Sequence, residues 1–318
     1  MENLSTTGED MSSGLGFWGV PLAILGGILR LSPPFLFVSL GECLTEKSGR
    51  INLGQEGTLV MGAMTGYGVA YLTGSPWLGV LAAAGVGFIM GGLHGWLCSF
   101  PRVNDIALGI AMMFFGQGIA FYLGRPLIQP QAPQLGSINL GWWSNHSEIV
   151  AALKMNILLP VGVALAIFFW WAFRYTRWGM IVRVAGESTD ASRAMGYSVK
   201  MIRFLATAVG GFIAGIGGAF LSLYYPGSWN NNISSGQGLM AVALVIFARW
   251  NPINCIYAAV IFGGAKAIGP ALQAAGFSSF TYLFNAAPYI LTLVIMILTC
   301  SKTRAWVGAP AELGASLR

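Results

Sequence analysis

The sequence predicts an all-α fold, a polytopic bundle of transmembrane helices. The chain has 318 residues, of which 55% are hydrophobic and only 9% are charged. An average soluble domain is about 25% charged. A soluble fold of this length could not bury so much apolar surface, because the buried fraction rises only slowly with chain length. We therefore expect an integral membrane protein.

Apolar segments long enough to cross a bilayer recur along the chain. A transmembrane helix needs about 20 mainly apolar residues. The candidate spans are 17–40, 55–73, 77–99, 105–124, 155–173, 204–225, 233–249, 253–271 and 282–300. We expect about nine spans, within a range of eight to ten, since a tenth span or a re-entrant piece near 41–56 would change the parity. Residues 17–300 then form one membrane domain, with a tail at 1–16 and another at 301–318.

The basic residues predict the orientation, because cytoplasmic segments of membrane proteins are rich in Lys and Arg. If the loop 174–203 is cytoplasmic, thirteen basic residues are inside: Lys47, Arg50, Arg102, Arg174, Arg177, Arg183, Arg193, Lys200, Arg203, Arg249, Lys302, Arg304 and Arg318. Only Arg125 and Lys154 are outside. We expect the N-terminus outside and the C-terminus inside. This distribution accounts for the net charge of +6 without a nucleic-acid partner.

Neither the N-terminus nor the cysteines predict processing or metal binding. Residues 1–16 carry three acidic and no basic residues, whereas a signal peptide begins with basic ones, so we expect no cleavage. The four cysteines, Cys43, Cys98, Cys255 and Cys300, are far apart and form no CxxC pair. All four fall near predicted cytoplasmic span ends, where free thiols are usual.

The pattern required by a membrane enzyme is missing from the sequence. The two histidines, His94 and His146, are predicted on opposite sides of the membrane. No HExxH, GxSxG or paired carboxylates within a span are apparent. There is also no GxxxxGK[ST] motif, which excludes ATP hydrolysis through a P-loop of this chain. We expect no cofactor in this chain.

Two cations fall within predicted spans. Arg30 precedes Ser32-Pro33-Pro34, where we expect a helix break, and can pair with freed carbonyls or a neighbouring subunit. Lys266 can snorkel, line a cavity or meet an anionic substrate. Without a carboxylate partner they do not favour a proton relay. Pairs of glycines four residues apart predict close helix packing and no further function: Gly62/Gly66, Gly87/Gly91, Gly91/Gly95 and Gly211/Gly215.

A short polar helix is predicted within the stretch RVAGESTDASRAMGYS, residues 183–198. We expect Gly186 to break the chain before it, Ser188 or Thr189 to cap its start, and Gly196 to end it. About two turns are too short to be stable alone in water. The helix is therefore held in the groove of a partner, or the stretch is a solvated loop.

This stretch resembles the coupling helix of ABC importer permeases of the large-bundle (type II) branch, which serves ribose, other simple sugars, branched-chain amino acids and nucleosides. A pattern similar to R-x-x-G-E-x-x-x-A-x-x-x-G is formed by Arg183, Gly186, Glu187, Ala191 and the run 194–196. GECLTEKSGRINLGQEGTLVMGA (41–63) resembles the early motif of nucleoside and simple-sugar permeases. AGIGGAFLSLYYPGSW (214–229) and ALVIFARWNP (243–252) are similar to the later family motif.

The resemblance implies one permease of a pair, expected beside a related but different permease, in the inner (cytoplasmic) membrane of a bacterium. A cytoplasmic ABC ATPase would bind ATP-Mg and dock on the coupling helix, and an extracytoplasmic binding protein would deliver the solute. The substrate would be a nucleoside or related solute; a simple sugar, or a self-sufficient carrier or channel, remains the alternative. The residues expected to contact the ATPase are Glu187, Asp190, Ala191, Arg193, Ala194, Met195 and Gly196.

The seventh span indicates the substrate path. Its apolar core from Gly238 to Trp250 is too short for a full span, and a polar stretch precedes it. Polar backbone at membrane depth must be buried or line a wet cavity. The candidates for the path are Asn52, Gln55, Glu56, Asn230, Asn231, Asn232, Ser234, Ser235, Gln237 and Lys266. The alternatives are an ordinary external loop at 230–237 and simple helix capping at 52–56.

Two further segments have open roles. Arg249-Trp250-Asn251-Pro252 is predicted as a tight inside turn that either contacts the ATPase or only ends the span. The outer loop 125–154 carries Trp142 and Trp143, which suit an interfacial belt, and is a candidate docking surface for the binding protein.

Overall fold

The protein is described by a computed structural model that covers residues 19–274, 283–284, 286–299 and 308–315. The helices are α1 (Gly19–Lys47), α2 (Gln55–Thr73), α3 (Pro76–Leu97), α4 (Asp105–Gly124), α5 (Ser147–Ala152), α6 (Leu158–Tyr175), α7 (Arg177–Glu187), α8 (Thr189–Ala194), α9 (Val199–Leu223), α10 (Gln237–Phe247), α11 (Pro252–Ala274), α12 (Ala287–Thr299) and α13 (Ala311–Ala315). Two three-residue strands, β1 (Ser137–Asn139) and β2 (Lys154–Asn156), pair antiparallel with Ile138 opposite Met155. The predicted all-α helical fold is confirmed.

Six of the described helices are long and apolar enough to cross a membrane: α1, α3, α4, α6, α9 and α11. α2 covers the predicted span 55–73, but α10 has only 11 residues and α12 has 13. The chain is thus a multi-pass helical membrane protein. The number of nine spans and the orientation of the termini stay predictions, and the tail at 1–16 lies outside the described residues.

The predicted helix break near Ser32-Pro33-Pro34 is wrong. α1 runs unbroken through both prolines to Lys47, seven residues beyond the predicted span. Its second half is enclosed by other helices, and Phe35, Phe37 and Leu40 are all buried. Helices that surround a proline can compensate for the hydrogen bond that it removes, which explains why this helix continues. α1 therefore forms the centre of the bundle, packed against α9, α10 and α11.

Arg30 does not pair with carbonyls freed by a break. Its Nη2 donates instead to Ala151 O at 2.6 Å, in helix α5 of the loop between α4 and α6. Gly26 on the same side of α1 also lies against the Ala152 backbone. This end of α1 is thereby fixed to the loop that carries the exposed Trp142 and Trp143.

Glycines bring α3 and α9 into backbone contact along their length, as the sequence predicts. A Cβ atom on Gly91 would meet the Thr207 carbonyl oxygen, and one on Gly87 would meet the Gly211 carbonyl oxygen. Gly211 faces Gly87 in the same way. We call this contact the α3–α9 seam.

The cysteines of the described residues are free. Cys43, Cys98 and Cys255 are buried and unpaired by disulfides, which confirms the expectation for these three. Cys300 lies outside the described residues.

Candidate functional site

The short helix predicted within 183–198 is α8, which lies between α7 and α9. Ser188 precedes it with extended backbone, and its Oγ accepts a hydrogen bond from Ala191 N at 3.2 Å. This is the N-cap arrangement that satisfies a free amide of the first turn. Gly196 follows the helix with a φ of +81°, a conformation that glycine adopts without strain. The predicted cap and end are confirmed.

The predicted break at Gly186 is wrong. α7 continues through Gly186 to Glu187, and the chain turns only at Ser188. The Lys47 carbonyl oxygen occupies the space where a side chain on residue 186 would stand. The glycine is thus needed for close approach of α7 to the end of α1, and it is not a helix terminator here.

Four of the six residues of α8 are exposed: Asp190, Ala191, Arg193 and Ala194. Among residues 190–196 only Ser192 is buried, and Met195 exposes 48% of its surface. Asp190 and Arg193 form an ion pair at 3.4 Å, but a solvated pair of this kind contributes little stability. The residues predicted to contact the ATPase all lie on this exposed surface: Glu187, Asp190, Ala191, Arg193, Ala194, Met195 and Gly196.

The second group of predicted residues surrounds the turn between α1 and α2. The carboxylate of Glu42, buried near the end of α1, accepts hydrogen bonds from Asn52 N at 2.7 Å and from Gln55 Nε2 at 2.9 Å. Asn52 Oδ1 accepts from Gly54 N at 2.9 Å. Asn52 and Gln55 therefore shape the turn that starts α2. Gln55 Oε1 is buried and has no hydrogen-bond partner among the described residues.

Glu56, the next residue, binds the start of α10. Its Oε1 accepts from Ser234 Oγ at 2.5 Å and from Gly236 N at 3.1 Å, and its Oε2 accepts from Gly238 N at 2.6 Å. The first amides of a helix lack partners within the helix and favour a negative charge. The Glu56 carboxylate thus replaces the partners that those amides lack.

This contact lies inside the bundle and not at its end. A Cβ on Gly57 would meet Met112 O at 2.6 Å, and Met112 is seven residues into α4. At 1.5 Å per residue, this level is about 10 Å from the first residue of α4. The 11 residues of α10 extend about 16 Å, roughly half of a bilayer core of about 30 Å. The predicted short seventh helix, preceded by polar backbone, is confirmed.

The other residues predicted for the substrate path do not all lie near Glu56. Gln237 is buried beside Glu56 at the start of α10, and its Oε1 has no partner in the described part of the chain. Asn230, Asn231 and Asn232 are exposed and lie apart from this centre. Lys266 on α11 is half-buried, and the negative charge that acts on it is that of Glu56.

The turn after α10 is held by a second carboxylate of α1. Trp250 is buried, and its Nε1 donates to Glu46 Oε2. Arg249 is exposed, and both residues have positive φ. The buried Trp250 is therefore part of the internal packing, and Arg249 is the side chain of the two that remains accessible.

The expectation that no carboxylates are paired within a span is wrong, and Arg30 and Lys266 are not alone as ionisable residues there. Because α1 extends to Lys47, Glu42 and Glu46 form a buried carboxylate pair one turn apart within it. The sequence feature that could have predicted this pair is the two glutamates four residues apart in GECLTEK. We missed it because the predicted span ended at residue 40, before either glutamate.

A buried ion pair that the sequence did not suggest holds the turn from the other side. Arg50 Nη1 lies 2.5 Å from Asp105 Oδ1, and Arg50 Nη2 donates to Cys98 O at 2.5 Å. Burial raises the pKa of the Cys98 thiol to about 12. Residues 48–54 are thereby fixed to the connection between α3 and α4. The described residues contain no group of three or more His, Cys, Asp and Glu side chains suited to a metal ion.

Comparison with known proteins identifies the chain. Residues 24–300 match the family described as the permease component of the branched-chain amino acid transport system. The chain belongs to this permease family. The match covers all the helices from α2 to α11, and so includes α8, the Glu56 contact and the seam.

Three curated relatives are named as ABC transporter permeases, but their names give different solutes. A putative glucose ABC transporter permease of Haloferax volcanii is 31% identical over 76% of this chain and 74% of its own length. A nucleoside ABC transporter permease of Lactococcus lactis is 27% identical over 88% of this chain and 92% of its own. A guanosine ABC transporter permease of Bacillus subtilis is 28% identical over 86% of this chain and 90% of its own.

Proposed function

We propose that this chain is the permease subunit of an ATP-driven ABC importer and forms half of the path for a nucleoside or a related small polar solute. The observation that carries the proposal is the exposed, capped helix α8 on a chain of this permease family. Such a surface suits a rigid contact with an ATPase that supplies the energy. ATP-Mg would bind to that partner and not to this chain.

The ATPase would bind the exposed residues of α8. Ala191, Ala194 and Gly196 allow close approach of a partner surface, while Asp190 and Arg193 can fix its register by charge. When two ATPase domains close on ATP, they would move α8 as a unit. The helices attached to α8 through α7 and α9 would then be reoriented.

The solute would pass near the start of α10. The side-chain amide oxygens of Gln55 and Gln237 are buried there near Glu56 and have no hydrogen-bond partner within the described part of the chain, and the charge of Glu56 also acts on Lys266. Buried polar groups without partners are costly, so such sites are candidates for ligand contact. The hydroxyl and amino groups of a nucleoside are suitable donors to these oxygens.

The choice of solute rests on the relatives. Two of those described bear names for nucleoside or guanosine transport and align over most of both chains, which favours a nucleoside. A simple sugar is the second candidate, supported by the relative named for glucose. Both are neutral and rich in hydroxyl groups, so the buried oxygens suit either.

The partner proteins and the cellular location are proposed on the same grounds. Two different nucleoside permeases of Lactococcus lactis match this chain, which favours pairing with a related but different permease. We propose the cytoplasmic membrane of a bacterium, with the N-terminus outside and α8 inside. An extracytoplasmic binding protein would dock on the loop 125–154, where Trp142 and Trp143 are exposed.

The test is to tag the chain, extract it gently from its native membrane and identify the co-purifying proteins by mass spectrometry. An ATPase with a P-loop and a second permease are the expected result. Recovery of the chain alone, under conditions that preserve another ABC complex of the same cells, would overturn the proposal. A self-sufficient carrier or channel would then be favoured, and it would transport without ATP.

A further inference from the structure

The helix α13 near the C-terminus lies against the start of α8. Glu312 Oε1 accepts a hydrogen bond from Thr189 N at 3.2 Å, and Ala311 N donates to Glu187 Oε2 at 3.4 Å. Leu313 is buried with 1% of its surface exposed. The contact therefore combines polar bonds to the α8 segment with packing, although 124 residues separate Glu187 from Ala311.

The same carboxylate reaches α9. Glu312 Oε2 lies 3.3 Å from Arg203 Nη2, and the two side chains are only 23% and 12% exposed. Partial burial reduces screening by water, so this pair is stronger than the exposed pair within α8. Glu312 thus joins the first residue of α8 to the second turn of α9.

Arg203 connects this contact to the end of α1. Its Nε donates to Ser48 O at 3.0 Å, and its Nη2 also donates to Ala185 O at 3.2 Å. The planar guanidinium holds its donors in one fixed arrangement, which a lysine cannot reproduce. One side chain therefore binds the turn after α1, the end of α7 and α13.

Close packing surrounds these bonds. Gly49 has a φ of +87°, and a Cβ there would meet Arg203 Nη2 at 2.9 Å, Glu312 Cβ at 3.0 Å and Gly186 Cα at 3.2 Å. The 48–50 turn therefore packs against the side chains of Arg203 and Glu312 and against the backbone of α7. The turn is followed by Asn52 and Gln55, which bind Glu42, and then by Glu56 of α2, which binds the start of α10.

We propose that Arg203 and Glu312 are positioning residues that hold α8 against the 48–50 turn, so that movement imposed on α8 is passed to the start of α2 and to the Glu56–α10 contact. This inference rests on the proposed function, in which an ATPase moves α8. The pair acts by making α8, α13 and the turn move as one body.

The first experiment needs no partner protein. A nitroxide label on Met195→Cys, in a Cys300→Ser background, reports the mobility of the end of α8 in the purified full chain. Glu312→Gln keeps the size of the side chain but removes its charge, and we expect the mobile fraction of the label to rise about tenfold, the effect of losing one charge-assisted bond. Lys200→Gln, which removes an exposed charge from the same helix as Arg203, is the matched control and should leave the spectrum unchanged. An unchanged spectrum for Glu312→Gln would overturn the proposal.

The second experiment measures coupling in the reconstituted complex of the full chain with its co-purified ATPase, second permease and binding protein. We expect Glu312→Gln and Arg203→Lys each to retain the ATPase and its hydrolysis, while solute moved per ATP falls about five- to tenfold. The double variant should be no worse than either single variant, because both act through one contact. Additive losses, or a normal ratio in both single variants, would refute the shared role.

The two experiments separate this inference from the proposed function. If the unaltered chain captures no ATPase, the proposed function fails, and with it the transmission of movement to the path. The label on α8 still decides whether Glu312 holds this helix. If the ATPase binds and the label stays immobile in Glu312→Gln, the proposed function stands and this inference fails.

Discussion

Glu56 and Gly238 are 182 residues apart in the chain, yet Glu56 Oε2 accepts a hydrogen bond from Gly238 N at 2.6 Å. The bond joins the first turn of α2 to the first turn of a helix that is too short to cross a membrane. It places a charged group and irregular backbone inside the bundle. This is the arrangement in which a transporter can offer polar contacts at membrane depth.

Removing the charge of Glu56 should weaken the start of α10. Glu56→Gln places an amide NH₂ against groups that donate hydrogen bonds, and we expect a loss of about 2–3 kcal/mol in stability with a strong loss of uptake. Ser234→Ala removes only one of the three bonds and should cost about 1 kcal/mol. Thermal unfolding of the detergent-extracted variants measures both. Equal stability of Glu56→Gln and the unaltered chain would contradict this role.

A bulky residue on α8 should block energised uptake. Ala194 is exposed and small, and Ala194→Trp would separate the ATPase from α8 without disturbing the interior. We expect uptake to fall about 100-fold or more at normal abundance in the membrane, since steric exclusion at a central interface contact costs about 3 kcal/mol. Ala111→Trp, at an exposed alanine of α4, is the control. Normal uptake by Ala194→Trp would remove α8 from the ATPase contact.

Breaking the pair of Arg50 and Asp105 should be severe. Arg50→Ala leaves the carboxylate of Asp105, whose side chain is only 2% exposed, without its partner, and a buried unpaired charge costs about 3–5 kcal/mol. We expect little folded protein in the membrane, measured by fluorescence-detected size exclusion of a fusion. Adding Asp105→Asn should restore part of the yield, because the remaining group is neutral. If the double variant is no better than Arg50→Ala alone, unpaired charge is not the cause.

The buried thiols should not react in the folded protein. Cys43, Cys98 and Cys255 are buried, and because burial raises the pKa of Cys98 to about 12, almost no thiolate forms there at neutral pH. A polar maleimide at pH 7 should label these three only after denaturation, as peptide mass spectrometry would show. Met195→Cys, on the exposed end of α8, serves as the positive control. Rapid labelling of Cys98 in the native protein would show that the connection between α3 and α4 opens.

The seam between α3 and α9 can be tested with two glycines of the same helix. Gly87→Ala directs a methyl group into the Gly211 backbone, and we expect a loss of about 1–3 kcal/mol. Gly85 has open space around its Cβ position, so Gly85→Ala should be neutral or slightly stabilising. Thermal unfolding in one detergent compares the two. A similar loss in both would mean that helix propensity, and not the seam, sets the effect.

Local pattern was enough to predict most of the helices. The predicted limits of α2 and α4 agree with the structure because Gly74 ends one helix and Asn104 caps the other. The same reasoning wrongly predicted a break in α1, because a helix enclosed by neighbouring helices tolerates Pro33 and Pro34. Whether a proline is enclosed depends on residues far away in sequence, and a local pattern does not contain that information.

The candidate site also combines features that a local sequence pattern predicts with contacts that it does not predict. The N-cap Ser188 and the left-handed Gly196 are local features, and the sequence predicts both. The hydrogen-bond partners of Glu56 and Trp250 are 178 or more residues distant, and Glu312 is 109 residues from Arg203, so no spacing rule indicates these contacts. Glu42 and Glu46 were not expected inside the bundle because the polar run after residue 40 predicts the end of a span, whereas α1 continues to Lys47.

The α3–α9 seam limits where this protein can change shape. Helices that touch backbone to backbone have no long side chains between them to absorb a slide or a rotation, because each shift would drive one carbonyl group into the next. We therefore expect the two helices to move together as one rigid unit. We expect the transport path to open and close through the parts that are joined by side chains and polar bonds, above all the half-length helix α10. A passage that alternates between two sides of a membrane can thus be operated by a short helix that shifts against a rigid pair of long ones.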